Sequence, residues 1–386
     1  MPAKANWNYP TPIKFGVGRI SELAEHCRSH GILRPLLVTD SGLAKAPITT
    51  AALDSLTAAG LGAALFADLK PNPIEANLLD GLAAYHAGKH DGVVAFGGGS
   101  GLDMGKLIAF MSGQSRPVWD FEDIGDWWTR ADPDGIAPVI AVPTTAGTGS
   151  EVGRAGVITD ERTHTKRIIF HPKMMPRVVI CDPALTVGMP AKITAGTGMD
   201  AFSHCLEAYC APGYHPMADG IGVEGMRLVA GALARAVRTP GDLDARADMM
   251  AAAAMGATAF QKGLGGMHAL AHPIGALYDS HHGMTNATLM PYVLQFNREA
   301  IKDRIARLAA YMELPDPGFD SFLRFVLALR KEVGVPHTLP ELGVDDRHAD
   351  LVAEMAVVDP SAGGNPRTMD KAGARAIFEA ATQGRI

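Results

Sequence analysis

Residues 91–111 read DGVVAFGGGSGLDMGKLIAFM. Residues 91–98 form a short run that is apolar throughout and ends on glycines, which predicts a strand buried on both faces. Residues 102–111 then supply a helix directly after the turn. Similar units lie on either side of this stretch. Residues 34–40 (RPLLVTD) precede a helix over 49–60, residues 63–68 precede one over 75–89, and residues 138–145 (PVIAVPTT) make a fourth strand. Apolar strands separated by helices predict a parallel sheet covered on both faces, with ligands bound at the carboxyl ends of its strands. Loop-rich sequence over 119–134 separates the third and fourth units.

After residues 178–182 (VVICD) and Pro183 the texture changes, and helical periodicity takes over at 193–209, 217–238, 245–260, 297–311, 319–333 and 371–382. The expected fold is α/β plus all-α. A doubly wound domain spans 1–185 and a helical domain 186–386, with the boundary region as the default place for a site. At 386 residues, 47% hydrophobic and 20% charged, the chain has the balance of a globular enzyme and the length for two domains. Four cysteines without CxxC spacing exclude a disulfide framework and a zinc ribbon. A net charge of −6 without basic runs speaks against nucleic acid, and no apolar run of about 18 residues is available to span a membrane. The amino-terminal residues lack a signal-peptide core, so the expected compartment is the cytoplasm.

Two glycine-rich turns follow strands. Gly97, Gly98, Gly99, Ser100 and Gly101 could close backbone N–H groups on a phosphate at a helix N-terminus, or form only a tight structural turn. Neither the P-loop nor the GxGxxG spacing is met. The second turn, PTTAGTGSE at 143–151, offers hydroxyls and glycine suited to a pyrophosphate or ribose. Two such loops at one sheet edge favour a dinucleotide over a lone phosphate. Asp40, closing the first strand, could accept both ribose hydroxyls or simply cap a turn.

Asp200 and His204 stand four apart in a helix-forming stretch, and His268 and His272 repeat that spacing, with His281 and His282 following. One carboxylate and several imidazoles make a plausible site for iron or zinc, although any single histidine in such a stretch is more often a satisfied core residue. HExxH is absent, so a zincin is not supported.

Taken together, GGGSGLDMGK (97–106), PTTAGTGSEV (143–152), GMDAFSHCLEAY (198–209) and GGMHALAHPIGALYDSHHG (265–283) resemble the iron-containing (group III) alcohol dehydrogenases over nearly the whole chain. The resemblance implies a dinucleotide-binding α/β domain followed by a helical metal-binding domain. It implies Asp200, His204, His268 and His282 as ligands of Fe2+, with Zn2+ possible, and His272 as a proton relay near the substrate. It implies NAD bound by Gly97, Gly98, Gly99, Ser100 and Asp103 in one loop and by Thr144, Thr145, Thr148 and Ser150 in the other. Lys166 falls where a cofactor-contacting lysine lies, Asn72 sits in the adenosine-side loop, and Asp40 matches the position that favours NAD over NADP. A homodimer or larger homo-oligomer is implied as well.

The subgroup acting on 4-hydroxybutyrate and succinic semialdehyde is most similar, through Arg154, the segment 168–176 and AFQKGLG at 259–265. Arg154 or His171 is the expected receiver of a remote substrate carboxylate, the alternative for Arg154 being solvent or a neighbouring carboxylate. A general short-chain alcohol dehydrogenase without carboxylate preference is the plainer expectation. A metal-dependent cyclase or lyase resembling dehydroquinate synthase is disfavoured, because 263–278 lacks the cations such a substrate needs.

Overall fold

The computed structural model describes residues 11–386 except Pro71 and His164. Its strands are β1 (Ile13–Phe15), β2 (Pro35–Val38), β3 (Ala64–Phe66), β4 (Gly92–Gly97), β5 (Val139–Pro143), β6 (Ala155–Asp160), β7 (Thr165–Phe170) and β8 (Val178–Cys181). Its helices are α1 (Leu23–Ser29), α2 (Pro47–Ala58), α3 (Glu75–Ala87), α4 (Gly99–Met111), α5 (Ala191–Cys210), α6 (Pro216–Arg238), α7 (Leu243–Ala259), α8 (Gly266–Tyr278), α9 (His282–Tyr311), α10 (Phe319–Glu332), α11 (Ala349–Val358) and α12 (Lys371–Gln383). The chain divides into two compact units, with the break between Gly188 and Met189.

The amino-terminal unit is an α/β domain. Its six-stranded sheet has the order β1-β8-β5-β4-β2-β3, and every pair is parallel. The chain leaves β2 towards β3, then returns to place β4 on the other side of β2. That reversal puts a topological switch point between β2 and β4, where open parallel sheets bind ligands. Leu37, Val94, Phe96, Ile140, Val142 and Ile180 are fully or almost fully buried and form the core with Leu23 and Leu56 from the helices. Burying each such side chain is worth about 1.5–3 kcal/mol, so the strand runs leave no room for polar replacements.

The antiparallel hairpin β6–β7 was not expected. In β6 buried and half-buried residues alternate, the pattern of a ribbon with one covered face. Its short span among charged residues gave too little periodicity to read.

In the carboxy-terminal unit α5 is buried on nearly all sides, packing against α6, α7 and α9. Close approach is made possible by glycine: a Cβ on Gly256 of α7 would stand 2.9 Å from His204 Cβ. Three helices depart from the sequence reading, one of them α11, which was not expected. α9 begins at His282 rather than 297 and contains Pro291, and α8 contains Pro273. An internal proline removes a hydrogen bond and ordinarily ends a helix. Here residues 284–294 are continuously buried, and packing overrides the local preference. All four cysteines are buried and free, and burial pushes the thiols of Cys27, Cys205 and Cys210 up to about 12. Among the described residues, no helix is long and apolar enough to cross a membrane.

Candidate active site

In the carboxy-terminal unit three helices bring four potential ligands together. α5 carries Asp200 and His204 one turn apart, α8 carries His268 in its first turn, and His282 is the first residue of α9. Asp200 Oδ1 lies 4.0 Å from His204 Nε2, 3.9 Å from His268 Nε2 and 3.7 Å from His282 Nε2. The ligand atoms of Asp200, His204 and His268 all lie within 4.8 Å of one another. These three residues are buried, whereas the side chain of His282 is 28% exposed. The rings of His204 and His268 stack at 4.8 Å, and Phe260 meets His204 edge-on at 5.2 Å.

The donor set fits a divalent cation. Ligands about 2.1 Å from a four-coordinate ion lie about 3.4 Å apart, and the Asp200 contacts are within a few tenths of an ångström of that spacing. Asn286, one turn beyond His282, reaches into the same cluster. Its amide Nδ2 lies 2.9 Å from Asp200 Oδ1, 3.1 Å from His268 Nε2 and 3.2 Å from His282 Nε2. An amide NH2 carries two hydrogens, so it serves at most two of these three neighbours at once. The amide Oδ1 is buried without a hydrogen-bond partner. Burial opposes ionisation of Asp200, but the three surrounding imidazoles and the Asn286 amide outweigh it and hold the carboxyl well below the usual range. For His268, burial disfavours the charged ring, while Glu207 more than compensates and raises its basicity.

His272, one turn along α8 from His268, stacks on His282 at 5.5 Å with the rings nearly parallel. Its Nδ1 pairs with Asp359 Oδ2 at 2.8 Å, and Asp359 Oδ1 accepts from the Ser361 backbone at 2.8 Å. Burial raises the Asp359 carboxyl, yet the hydrogen bond from His272 prevails and lowers it.

In the amino-terminal unit the two glycine turns lie side by side. β4 and β5 end in register, Gly97 opposite Pro143, and the Thr144 N–H donates to Gly97 O at 2.9 Å. A Cβ on Gly98 would stand 3.1 Å from Thr145 Cγ2, and one on Gly99 2.8 Å from Thr148 Cγ2. Gly99 opens α4 and Ser100 is in its first turn, so that helix N-terminus faces the same edge. Asp40 follows β2 across the switch point and accepts from the Leu43 N–H through Oδ1 at 3.1 Å, so the turn-capping alternative is realised on one oxygen. Asp103 is engaged inside the protein: one oxygen accepts from the Ser150 hydroxyl and the other from the Val157 N–H at 3.1 Å. Lys166 stands opposite Thr159 in the β6–β7 hairpin, and the Thr159 N–H donates to Pro73 O at 2.8 Å. Lys166 and Asn72 are thereby brought to the same end of that hairpin.

Arg154 places its guanidinium 5.3 Å over the Phe170 ring and opposes the rise that burial imposes on Asp123. His171 is buried between Phe110 and Trp128, and its Nδ1 accepts from the Lys173 N–H at 3.0 Å. Burial also pushes the imidazole towards its neutral form. These contacts give His171 a capping role and disfavour it as a receiver of carboxylate.

Four functional neighbours escaped the sequence reading. Glu207 stands seven residues after Asp200 and three after His204, on the same helix face, a spacing that could have found it. Asn286 likewise stands four after His282. Asp359 is 87 residues from His272 in the chain and has no local signal. Lys106, which fills the lysine position of a P-loop pattern that Ser100 and Leu107 break, is almost fully buried beneath the two turns, donating to Ser150 O at 2.9 Å and to Ala155 O.

The amino-terminal family model described as iron-containing alcohol dehydrogenase matches residues 10–183, and the carboxy-terminal model of the same family matches residues 194–382. The chain belongs to the iron-containing alcohol dehydrogenase family. It is therefore an oxidoreductase. Among curated relatives of the family, the 4-hydroxybutyrate dehydrogenase of Cupriavidus necator is 41% identical over 381 residues, covering 96% of this chain and 98% of that one. A crystal structure of 1,3-propanediol oxidoreductase is 36% identical with a TM-score of 0.93, covering 98% of this chain and 100% of the other. Sulfoacetaldehyde reductase from Bifidobacterium kashiwanohense, solved with NAD+, is 26% identical with a TM-score of 0.88, covering 98% and 99%.

Proposed function

We propose that this chain is a metal-dependent NAD(H) oxidoreductase that interconverts a small primary alcohol and its aldehyde, with 4-hydroxybutyrate and succinic semialdehyde as the preferred pair. The observation that carries the reading is the convergence of three imidazoles on Asp200 Oδ1, with the His272–Asp359 pair beside them. Asp200, His204, His268 and His282 would hold Fe2+, or Zn2+ in its place. A cation bound there supplies Lewis acidity, lowering the pKa of an alcohol and polarising a carbonyl.

The chain's own residues do the rest. Asp359 keeps the His272 proton on Nδ1, which leaves Nε2 free to take the alcohol proton and return it in the reverse direction. The glycine amides at the start of α4 and the hydroxyls of Thr144, Thr145 and Thr148 suit a pyrophosphate and ribose. Asp40 retains Oδ2 to accept ribose hydroxyls and repel a 2′-phosphate, which favours NAD. NAD held there would supply a hydride acceptor for the alcohol or, as NADH, a hydride donor for the aldehyde, and positioning it against the substrate would supply much of the rate.

Arg154 is the candidate receiver of the remote carboxylate. Similarity to relatives whose names specify a hydroxy acid and a sulfonated aldehyde supports an anionic group on the substrate. The test is NADH oxidation by Fe2+-loaded protein with succinic semialdehyde and butyraldehyde at matched concentrations. A preference of roughly tenfold for the semialdehyde, about 1.4 kcal/mol, is expected. Equal rates would reduce the reading to a general alcohol dehydrogenase, and no oxidation of any aldehyde by loaded protein would overturn it.

A further inference from the structure

Two elements distant in sequence meet at a single buried carboxylate. Glu207 lies near the end of α5, only 5% exposed. Its Oε1 accepts the backbone N–H of Met267 at 2.7 Å, and its Oε2 lies 2.6 Å from His268 Nδ1. Met267 is in the first turn of α8, where backbone N–H groups have no partner within the helix. The neighbouring Gly266 N–H is received by Asn365 Oδ1 at 3.1 Å, and Asn365 is itself locked in a reciprocal amide pair with Asn297 at 2.8 Å each way. Thus side chains from outside α8 fix its first turn, and one of them also grips the histidine that follows.

We propose that Glu207 is the positioning residue of the metal centre, fixing both the tautomer and the ring orientation of His268. The inference rests on the reading of the Asp200 cluster as a cation site. An ionised carboxylate is acceptor only, so a 2.6 Å contact requires the proton on His268 Nδ1. Nε2 then carries its lone pair, and Nε2 is the atom 3.9 Å from Asp200 Oδ1. The Met267 bond ties the same carboxylate to the backbone beside His268, so the ring cannot swing without breaking a second contact. Space for this arrangement is made by Gly265, where a Cβ would come to 3.1 Å from Glu207 Oε1. Glu207 and Asp200 also place two buried negative charges around the cluster, which balance a divalent cation and reduce the cost of burying it.

Glu207→Gln is the informative variant because it preserves shape. A glutamine has one acceptor for two donors. Its NH2 faces either the Met267 N–H or His268 Nδ1, and the second choice drives the histidine proton onto Nε2, where it blocks coordination. The full-length protein, stripped of metal, is titrated with Co2+ and with Zn2+ against a chelating dye. Outer carboxylates of this kind typically change metal affinity about 10- to 100-fold, and that loss is expected for Glu207→Gln, together with an altered visible spectrum of bound Co2+. Binding within twofold of wild type and an unchanged Co2+ spectrum would overturn the proposal.

Should the variant not fold, nitrogen NMR of 15N-histidine-labelled wild-type protein loaded with Zn2+ decides, with the His268 signal assigned by its absence in His268→Gln. A proton on Nδ1 supports the proposal and one on Nε2 refutes it. If wild type takes up neither Co2+ nor Zn2+, the cation reading of the cluster fails, an outcome the dye titration separates from a failure of Glu207 alone.

Discussion

Gly283 is the second residue of α9, immediately after His282, and it faces α5 where Gly196 presents its carbonyl. A Cβ built on Gly283 would stand 2.2 Å from Gly196 O and 3.1 Å from Asp200 Cβ. Real Cβ atoms keep at least 3.0 Å from such neighbours, so Gly283→Ala must open the α5–α9 contact by 0.8 Å. The oxygen is backbone in the middle of a packed helix and cannot rotate away. Overpacking of this kind costs about 1–3 kcal/mol. The displacement also falls between Asp200 and His282, whose Oδ1 and Nε2 are 3.7 Å apart. A misplacement of about 1 Å at a reacting centre costs on the order of a hundredfold in rate. Gly283→Ala is therefore expected to lose stability by that amount in urea unfolding and to lose roughly two orders of magnitude in kcat/KM, with weakened metal retention. Gly231→Ala, in α6 with nothing within 4 Å of the new methyl, is the control and should be neutral or stabilise by up to ~1 kcal/mol. A Gly283→Ala protein with wild-type stability and full activity would falsify the claim that α5 and α9 register the metal ligands through backbone contact.

Other expectations concern charge and proton placement. Glu151, buried beside Lys106, has its carboxyl raised by burial from 4.5 to about 7, with Lys106 opposing. The folded state therefore holds this proton more tightly than the unfolded chain. The resulting stability is complete below about pH 4.5 and is lost as pH rises through about 7, to a total of about 3 kcal/mol. Chemical denaturation of Glu151→Gln against wild type from pH 5 to 8 should show the variant gaining relative stability as pH rises, and a constant difference would contradict the burial argument. Asp359→Asn is expected to lower kcat/KM on the order of a hundredfold at unchanged metal content, read by steady-state kinetics beside metal analysis; a loss of metal instead would make Asp359 part of the ligand scaffold. Arg154→Ala should weaken succinic semialdehyde turnover while sparing butyraldehyde, and equal losses on both would leave Arg154 as a packing residue over Phe170. Chelation of a loaded sample should lower the Tm of the helical unit, which calorimetry reads, and an unchanged Tm would argue against a cation spanning α5, α8 and α9.

What the sequence made legible follows from the range of each signal. The all-apolar runs of β2, β4 and β5 and the glycines after them declare a parallel sheet and its ligand edge, because burial on both faces leaves no polar positions. The i,i+4 pairs of Asp200 with His204 and of His268 with His272 show on the chain because one turn of helix separates them. α8 and the first half of α9 were hidden by Pro273 and Pro291, where tertiary burial prevails over local preference. Asp359 was invisible because its pairing with His272 is made only by the fold. Lys106 stands in a stretch that fails as a P-loop, and only its position beneath the two turns reveals it as a strut linking the Ser150 and Ala155 carbonyls.

The spread of the candidate ligands along the chain has a thermodynamic consequence. Between His204 and His268 lie three further elements, α6, α7 and the start of α8. Closing a loop of that length in a disordered chain costs about 4 kcal/mol, a cost the folded helices have already met. An unfolded chain consequently competes poorly for the ion, and an ion held by all three helices acts as a reversible stitch across the helical unit. Departure of the cation removes that stitch, so loss of metal would lower the stability of the helical unit by mass action. Iron supply would in this way govern how long the protein survives as well as how fast it turns over.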